Sequence, residues 1–225
     1  MTLEPMNDLD RRVLGVLMEK GMAQPEYYPM TVNAVVTACN QKNNRDPMME
    51  LDDTAVEGTL DELRKHGLVS VVLPAPGART NRYRHEVAAR FGWEKRVMAI
   101  MTELLLRGPQ TAGELRGRCS RLMSFEGVDA VVTALDYMQT ADPPLVKPLP
   151  RQAGQSAVRY AHLFYLPEEM AGIDAAAASA ASASGAGEAA AGGVNRPTTR
   201  TEPASMGGPS AMDAMRAEIA DLKEQ

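Results

Sequence analysis

Cysteine and long apolar runs are scarce in this 225-residue sequence, and each shortage excludes a class of protein. Two cysteines cannot build a disulfide framework or a structural zinc site, so we expect a reducing environment. Every apolar run is shorter than the roughly 18 residues that a membrane span needs. The first residues also lack the basic-then-apolar order of a secretory signal. We therefore expect a cytoplasmic protein that makes no membrane contact.

Aromatic residues are few and unevenly placed. All ten Phe, Trp and Tyr residues lie between Tyr27 and Tyr165, whereas residues 171–225 contain none and hold seventeen alanines. Residues 1–170 carry 20 basic and 22 acidic side chains, within a whole-chain net charge of −5. This balance argues against a histone-like, generally adhesive nucleic-acid binder. The composition predicts a folded region up to residue 168 and a low-complexity tail after it.

Hydrophobic spacing and turn residues in the first part of the chain predict three helices followed by a β-hairpin. Helices are expected at 9–20 and 31–40, and a third is expected to end at Gly67. Thr31 caps the second helix and Asp52 or Asp53 caps the third. Strands are expected at 68–73 and 81–86, on either side of a Pro/Gly-rich turn. This order is that of a winged helix, a helix-turn-helix with an appended β wing.

The same order returns in residues 91–167. The recurring landmarks are Arg12-Val13 as Arg96-Val97, the helix-ending Cys39 as Cys119, and Arg82-Tyr83-Arg84-His85 as Arg159-Tyr160-Ala161-His162. We therefore predict a mainly α fold with small β wings (α+β), made of two tandem winged-helix domains at 1–88 and 89–168. Because the Arg-Tyr pair recurs at one position in both copies, we interpret it as structural.

The tail is predicted to hold two different segments. Residues 169–210 are rich in Ala, Gly and Ser and are predicted to be a disordered linker. Residues 211–225 are predicted to form a short amphipathic helix, in which Met212, Met215, Ile219 and Leu222 follow the 3-4-3 spacing of a coiled-coil seam. Two interpretations remain open for this helix: a fraying terminus or a weak self-association segment.

Three sequence blocks resemble the YceH family of bacterial proteins. Residues 28–49 are similar to its YPLS-x-NA-x-x-x-ACNQK-x-NR-x-P-x-M block, residues 104–116 to its LLLRG-x-QT-x-GELR block, and residues 159–164 to its RY-x-HLF ending. The resemblance covers about residues 9–165. It implies two winged-helix domains, a DNA-binding or regulatory role inferred from the fold, and often a terminal coiled-coil-like helix. It supports the fold more strongly than the function, because one fold serves many activities.

In the usual winged-helix mode the third helix enters the major groove of DNA. The outward positions of that helix in the first copy are Thr54, Glu57, Gly58, Asp61, Glu62 and Lys65. In the second copy they include Asp129, Ala130, Thr133 and Asp136, without any Lys or Arg. Acidic faces are unfavourable among phosphates, so we do not expect this mode in either copy.

Basic residues concentrate instead in the inter-helix loops and the wings. The candidate nucleic-acid contacts are Lys42, Asn43, Arg45, Arg79, Arg82, Arg84, Arg116, Arg118, Arg121 and Arg151. Such residues would contact the phosphate backbone of double-stranded DNA, giving salt-sensitive and weakly sequence-selective binding. The competing interpretation is that loops are polar by default and that these arginines pair locally with carboxylates. Our leading hypothesis is a DNA-associated regulator that acts through loops and wings.

The alternative hypothesis is a protein-interaction module that does not bind nucleic acid. The acidic third helix, represented by Glu57 and Asp61, suits a basic protein partner better than DNA. In the tail, Met215, Ile219 and Leu222 are the candidate self-association residues. We also expect a homodimer, since two-fold pairing is common among soluble proteins.

The sequence holds no recognisable catalytic motif. It has no GxxxxGK[ST], GxSxG or GxGxxG-after-strand pattern and no CxxC pair. His85 and His162 are equivalent strand residues, which favours structural roles. Cys39 and Cys119 at matched helix ends are interpreted as small buried hydrophobic residues. We therefore predict that the protein is not an enzyme and uses no metal and no cofactor.

Overall fold

The computed structural model describes residues 4–74, 77, 79–152 and 154–182. Within them the fold is mixed α/β, with eight α-helices and two small antiparallel sheets. The first copy consists of α1 (Asp8–Ala23), α2 (Val32–Cys39), α3 (Asp53–Lys65), β1 (Val69–Val72) and β2 (Arg82–His85). After the short α4 (Val87–Phe91), the second copy consists of α5 (Lys95–Arg107), β3 (Gln110–Thr111), α6 (Ala112–Cys119), α7 (Val128–Thr140), β4 (Val146–Pro148) and β5 (Arg159–His162). The final described helix is α8 (Pro167–Ser182).

The predicted order of three helices and a hairpin is present in both copies, and local capping explains where the helices begin. Thr31 caps α2 by accepting a hydrogen bond from the backbone N–H of Ala34, as predicted. Asp52, rather than Asp53, caps α3 in the same way. Thr111 occupies the position equivalent to Thr31 and caps α6. Side-chain acceptors at these positions satisfy backbone donors that the first helical turn leaves unpaired.

Each hairpin is attached to the segment that precedes the second helix of its copy. Tyr83 of β2 pairs with Met30 through two backbone hydrogen bonds of 2.7 and 3.0 Å. At the equivalent place in the second copy, Tyr160 of β5 pairs with Gln110 of β3. The two sheets therefore have the orders β1-β2 and β3-β5-β4. This repeated pairing fixes each wing beside the start of its own second helix.

The two copies share one hydrophobic core along α1 and α5. Val13 and Leu17 of α1 and Ile100 and Leu104 of α5 are fully buried in one continuous cluster. The two helices pack tightly at Gly15, because a Cβ added there would lie 2.9 Å from Leu106 Cδ2. The two copies therefore do not have separate cores. The domain boundaries 1–88 and 89–168 stay a prediction.

The prediction of disorder from residue 169 is wrong for residues 169–182, which form most of α8. Ala is the strongest helix former, and here the helix also has a surface to pack against. Met170, Ile173 and Ala177 pack against Leu149 and Ala161. The remainder of the predicted linker and the predicted helix at 211–225, with Met212, Met215, Ile219 and Leu222, lie outside the described residues. Among the helices that are described, none is both long and apolar enough to cross a membrane.

Candidate functional site

Two glutamates at equivalent positions of the repeat form the centre of a buried charge cluster between α1 and α5. Glu19 and Glu103 lie 84 residues apart, as do Arg12 and Arg96, and their side chains are 1% and 0% exposed. Arg45 binds Glu19 with two hydrogen bonds, of 2.6 and 3.2 Å. Arg121 bridges the copies, with Nη1 2.5 Å from Glu19 and Nη2 2.8 Å from Glu103.

The charges in this cluster stabilise one another. Burial alone would raise the pKa of Glu19, but hydrogen bonds and charge from Arg45 and Arg121 outweigh burial and lower this pKa. Burial would lower the pKa of Arg121, but the negative charges of Glu19 and Glu103 raise it. The buried charge cluster, Glu19, Arg45, Glu103 and Arg121, thus places two carboxylates directly against two guanidinium groups.

The buried charge cluster corrects the prediction for two candidate nucleic-acid contacts. The Arg45 side chain is 0% exposed, and it also donates to the Ala38 and Asn44 carbonyls at 3.0 and 2.7 Å. Arg121 is one-third exposed, but both of its terminal nitrogens are held by buried carboxylates. Arg45 is therefore buried within the first copy, and Arg121 links the two copies through nitrogens that are already bound to carboxylates.

The loop that carries Arg45 packs against the second copy. The Asp46 N–H donates to the Leu106 carbonyl at 2.9 Å, and Arg107 donates to the Asn44 side chain. Asn44 itself adopts a left-handed backbone conformation, with φ of 62°, which asparagine tolerates better than most residues. Two predicted contacts from this loop, Lys42 and Asn43, remain exposed on its outer side.

The wing arginines of the first copy differ in their surroundings. Arg82 donates to the Pro29 carbonyl at 2.8 Å, and its repeat equivalent Arg159 donates to the Pro109 carbonyl. The recurring arginine thus makes the same backbone contact in both copies, although Arg82 is exposed. Arg84 pairs with Glu86 at 2.8 Å, and Arg79 is exposed beside the turn of the hairpin.

Besides Arg121, three predicted cations of the second copy also differ in their surroundings. Arg118 donates to Gln110 Oε1 at 2.6 Å and lies 3.4 Å from Glu114, so it fastens α6 to the start of β3. Arg116 on α6 and Arg151 in the second wing are exposed. Of the ten candidate residues, those exposed and not shown in a local pair are Lys42, Asn43, Arg79, Arg116 and Arg151.

The outer faces of the third helices are acidic, as the sequence predicts. On α3, Glu57 and Asp61 are exposed, and the two basic residues of its last turn pair within the helix, Arg64 with Asp61 and Lys65 with Glu62, both at 2.6 Å. The sequence of α7 contains neither Lys nor Arg. Two large apolar side chains on α7 face solvent, with Val128 42% and Tyr137 63% exposed.

His162, Cys39 and Cys119 are buried in the interior of the fold. His162 is buried, accepts a hydrogen bond from the Phe164 N–H on Nδ1 at 3.2 Å, and stacks on Tyr165. Burial lowers its pKa to about 3, helped by the charge of Arg11. The predicted burial of Cys39 and Cys119 is confirmed, and burial raises the pKa of each thiol to about 12. In residues 4–74 and the other described ranges, no group of three or more His, Cys, Asp or Glu side chains is placed to hold a metal ion.

Comparison with known proteins places this fold in a family. Residues 6–155 match the family described as "Protein of unknown function, DUF480". The chain belongs to this family. It is 48% identical over 159 residues to a UPF0502 protein of Geobacter sulfurreducens, an alignment that covers 70% of this chain and 71% of the relative. It is 46% identical over 165 residues to a UPF0502 protein of Koribacter versatilis, and this alignment covers 73% of this chain and 76% of the relative.

The DUF480 match includes the whole buried charge cluster, from Glu19 to Arg121. Sequence analysis identified the cations of this cluster but missed Glu19 and Glu103, because each lies on the otherwise apolar side of its helix. A signal was present: extending the 84-residue offset of Arg12 and Arg96 along the two helices aligns one glutamate with the other. A carboxylate repeated at a core position indicates a paired buried charge.

Proposed function

We propose that this DUF480 protein is a non-enzymatic, cytoplasmic interaction module in which two tandem winged-helix units bind a protein partner. The observation that carries the proposal is the outer face of α7, which combines exposed acids with exposed Tyr137 and Val128 and has no cation. Faces of this composition suit protein partners, since aromatic residues are enriched at protein interfaces. On α3 the exposed Glu57 and Asp61 extend the same acidic character to the first copy.

The distribution of the arginines supports this proposal over DNA reading. A winged helix that reads DNA needs cations on its third helix and wing. Here Arg45 and Arg121 serve the buried charge cluster, and Arg82 and Arg118 bind neighbouring segments of their own copies. Arg84 pairs with Glu86, so fewer than half of the nine predicted cations are left without a partner among the described residues.

A second candidate function is backbone-directed binding of double-stranded DNA. It is favoured by the exposed cations Lys42, Arg79, Arg116 and Arg151, which come from loops and wings of both copies. Gln41, next to Lys42, lines the same surface groove as Met30, and Met30 pairs with Tyr83 of the first wing. The loop and the wing thus border one side of the first copy, where they could contact one duplex.

Salt-dependent binding of DNA separates the two candidates. Fluorescence anisotropy of a labelled 30-base-pair mixed-sequence duplex, titrated with the full chain at about 50 mM salt, should show no saturable binding if the leading proposal is right. The matched variants are Arg79→Ala with Arg116→Ala, and the control is Arg64→Ala on the acidic α3. The DNA candidate would replace the leading proposal if the duplex binds saturably and its affinity falls steeply with salt. The affinity should then also fall in the Arg79→Ala, Arg116→Ala double variant and not in Arg64→Ala.

Site-specific photocrosslinking tests the protein-binding proposal directly. A benzoylphenylalanine placed at position 57 on α3 or 133 on α7 should give a discrete adduct in living cells, because both positions are exposed on the outer helices. Position 168 on α8 is an exposed control that should give none. The adduct at 133 should disappear when Asp129 and Asp136 are both changed to Lys. Equal labelling at all three positions would contradict an interface on the outer helices.

We also propose that the protein is a homodimer, since two-fold pairing is the commonest assembly of soluble chains. Light scattering of the full chain at high concentration measures this directly. A mass equal to the 24.3 kDa of one chain would contradict the proposal.

A further inference from the structure

A small pocket at the end of α7 is lined by aromatic rings and carboxylates. Phe91 and Trp93 stack with ring centroids 4.6 Å apart and an interplanar angle of 17°. Gly92 between them adopts a left-handed conformation, with φ of 66°, and ends α4. Tyr137 of α7 also lines this space. The aromatic pocket, as we name the site lined by Phe91, Trp93, Glu94, Tyr137 and Asp142, has a volume of about 170 Å³.

Every charged side chain that lines the aromatic pocket is acidic. Glu94 and Asp142 are both exposed, and neither forms an ion pair within the described part of the chain. Glu94 occupies the N-cap position of α5 but makes no capping hydrogen bond there, so its carboxylate is not required by the helix. The C-terminal end of α7 and the N-terminal end of α5 both border the pocket, and their opposite partial charges offset one another, so the selectivity comes from the side chains.

Aromatic faces and carboxylates together select for cations. The face of an aromatic ring carries negative charge density, and a cation within about 6 Å of a Trp or Tyr ring is attracted to it. The pocket is smaller than the roughly 300–1,000 Å³ of sites that enclose a whole metabolite. Its volume suits a single side-chain head group, and its polar rim is open to solvent.

We propose that the aromatic pocket binds the cationic side chain of a lysine or arginine from a basic segment of a partner protein. This inference rests on the proposed function and names the chemistry of the partner. The head group lies against Trp93 and Tyr137, and Glu94 and Asp142 neutralise its charge. The pocket borders α7, so an engaged partner also covers the acidic outer face of that helix.

Trp93 reports directly on occupancy, because it is the single tryptophan of the chain. A basic octapeptide of alternating Lys and Gly should change the Trp93 emission saturably, and the effect should weaken as salt screens the carboxylates. An octapeptide of alternating Glu and Gly at the same concentration should leave the emission unchanged. A response to both peptides, or to neither, would overturn the proposal.

Variants separate cation recognition from damage to the fold. Tyr137→Ala removes an exposed ring and should weaken peptide binding about three- to tenfold. Glu94→Gln combined with Asp142→Asn should weaken it similarly and flatten its salt dependence. The control is Glu168→Gln, an exposed acid on α8 that does not line the pocket, which should bind as wild type. Equal affinity in all of these proteins would also overturn the proposal. If the Trp93 signal fails while crosslinks at positions 57 and 133 persist, the pocket assignment is wrong and the proposed function stands.

Discussion

Glu19 and Glu103 bind the same guanidinium group, that of Arg121, at 2.5 and 2.8 Å. Neither carboxylate is exposed, so each would be strongly unfavourable without its cations. Glu19 belongs to the first copy of the repeat and Glu103 to the second, so a single loop residue connects both first helices. This arrangement fixes α1 against α5 and makes the two copies one mechanical unit.

Loss of Arg45 should destabilise the whole described fold rather than weaken binding. In Arg45→Met the carboxylate of Glu19 stays buried with only part of its compensation, because Arg121 remains but the fully buried guanidinium that donates two hydrogen bonds to Glu19 is gone. Removing one partner of a buried ion pair commonly costs about 3–5 kcal/mol, and we expect a loss at the lower end of this range. The measurement is the free energy of unfolding in urea, followed by circular dichroism.

Lys42→Met is the matched control, since Lys42 lies in the same loop but is exposed. Its unfolding free energy should stay within about 0.5 kcal/mol of wild type. If both variants unfold at the same urea concentration as wild type, Arg45 does not stabilise the fold, and it is again a candidate nucleic-acid contact.

The repeat and the start of several helices could be predicted from local sequence. Thr31 and Asp52 caps follow from residue type at a fixed spacing, and that spacing is visible in one segment of chain. The equivalence of Arg82 and Arg159 was also visible, and both bind a proline carbonyl at matched places. Such features depend on contacts that recur in each copy, so the residues that form them appear twice in the sequence.

The pairing of residues within the buried charge cluster and the helix α8 could not be predicted, because the contacts that form them are distant in sequence. Arg121 and Glu19 are 102 positions apart, and only the packing of α1 on α5 brings them together. In α8, Glu169 forms a 2.7 Å ion pair with Arg11, and Lys147 pairs with Asp174 at 2.6 Å. An alanine-rich segment looks like a linker until the surface that it covers is known.

Gly15 should tolerate no larger residue, because it lies where α1 packs tightly against Leu105 and Leu106 of α5. Gly15→Val would place atoms within 3.0 Å of the buried Leu106 side chain, and we expect a loss of about 1–3 kcal/mol from this overpacking. Gly58→Val is the control: it lies within α3 with nothing within 4 Å of its added Cβ. That substitution should be neutral or slightly stabilising, since valine is a better helix former than glycine. Equal melting temperatures for the two variants would contradict a tight interface between the copies.

Both cysteines should be inert in the native protein. Cys39 and Cys119 are 0% exposed, and with pKa values of about 12 they are protonated at neutral pH. The thiolate is the form that reacts with disulfides. A chromogenic disulfide reagent should therefore not react with either cysteine until the protein is unfolded in guanidinium chloride. Ser120→Cys adds an exposed thiol beside Cys119 and should react at once. Prompt reaction of the wild-type protein would show that the helix ends open in solution.

Stability should fall below neutral pH through His162. Its pKa is about 3 in the fold against 6.5 as the ordinary value, so between these values the unfolded chain binds a proton that the folded chain does not. Stability contributed by the neutral ring is therefore complete above about pH 6.5 and is lost progressively as the pH falls toward 3. Between pH 7.5 and pH 5 this group alone should cost about 2 kcal/mol.

The comparison that isolates His162 is His162→Asn, whose side-chain oxygen can still accept the hydrogen bond from Phe164. This variant loses the stacking on Tyr165 and should be less stable at every pH, but its stability should decline less between pH 7.5 and pH 5. Burial also lowers the pKa of His85, and that contribution is common to both proteins and cancels in the difference. Glu19 has a lowered pKa, so its stabilising charge is lost only at more acidic pH and does not enter this window. Parallel pH profiles for wild type and variant would mean that His162 titrates normally and that the interior around Tyr165 admits water.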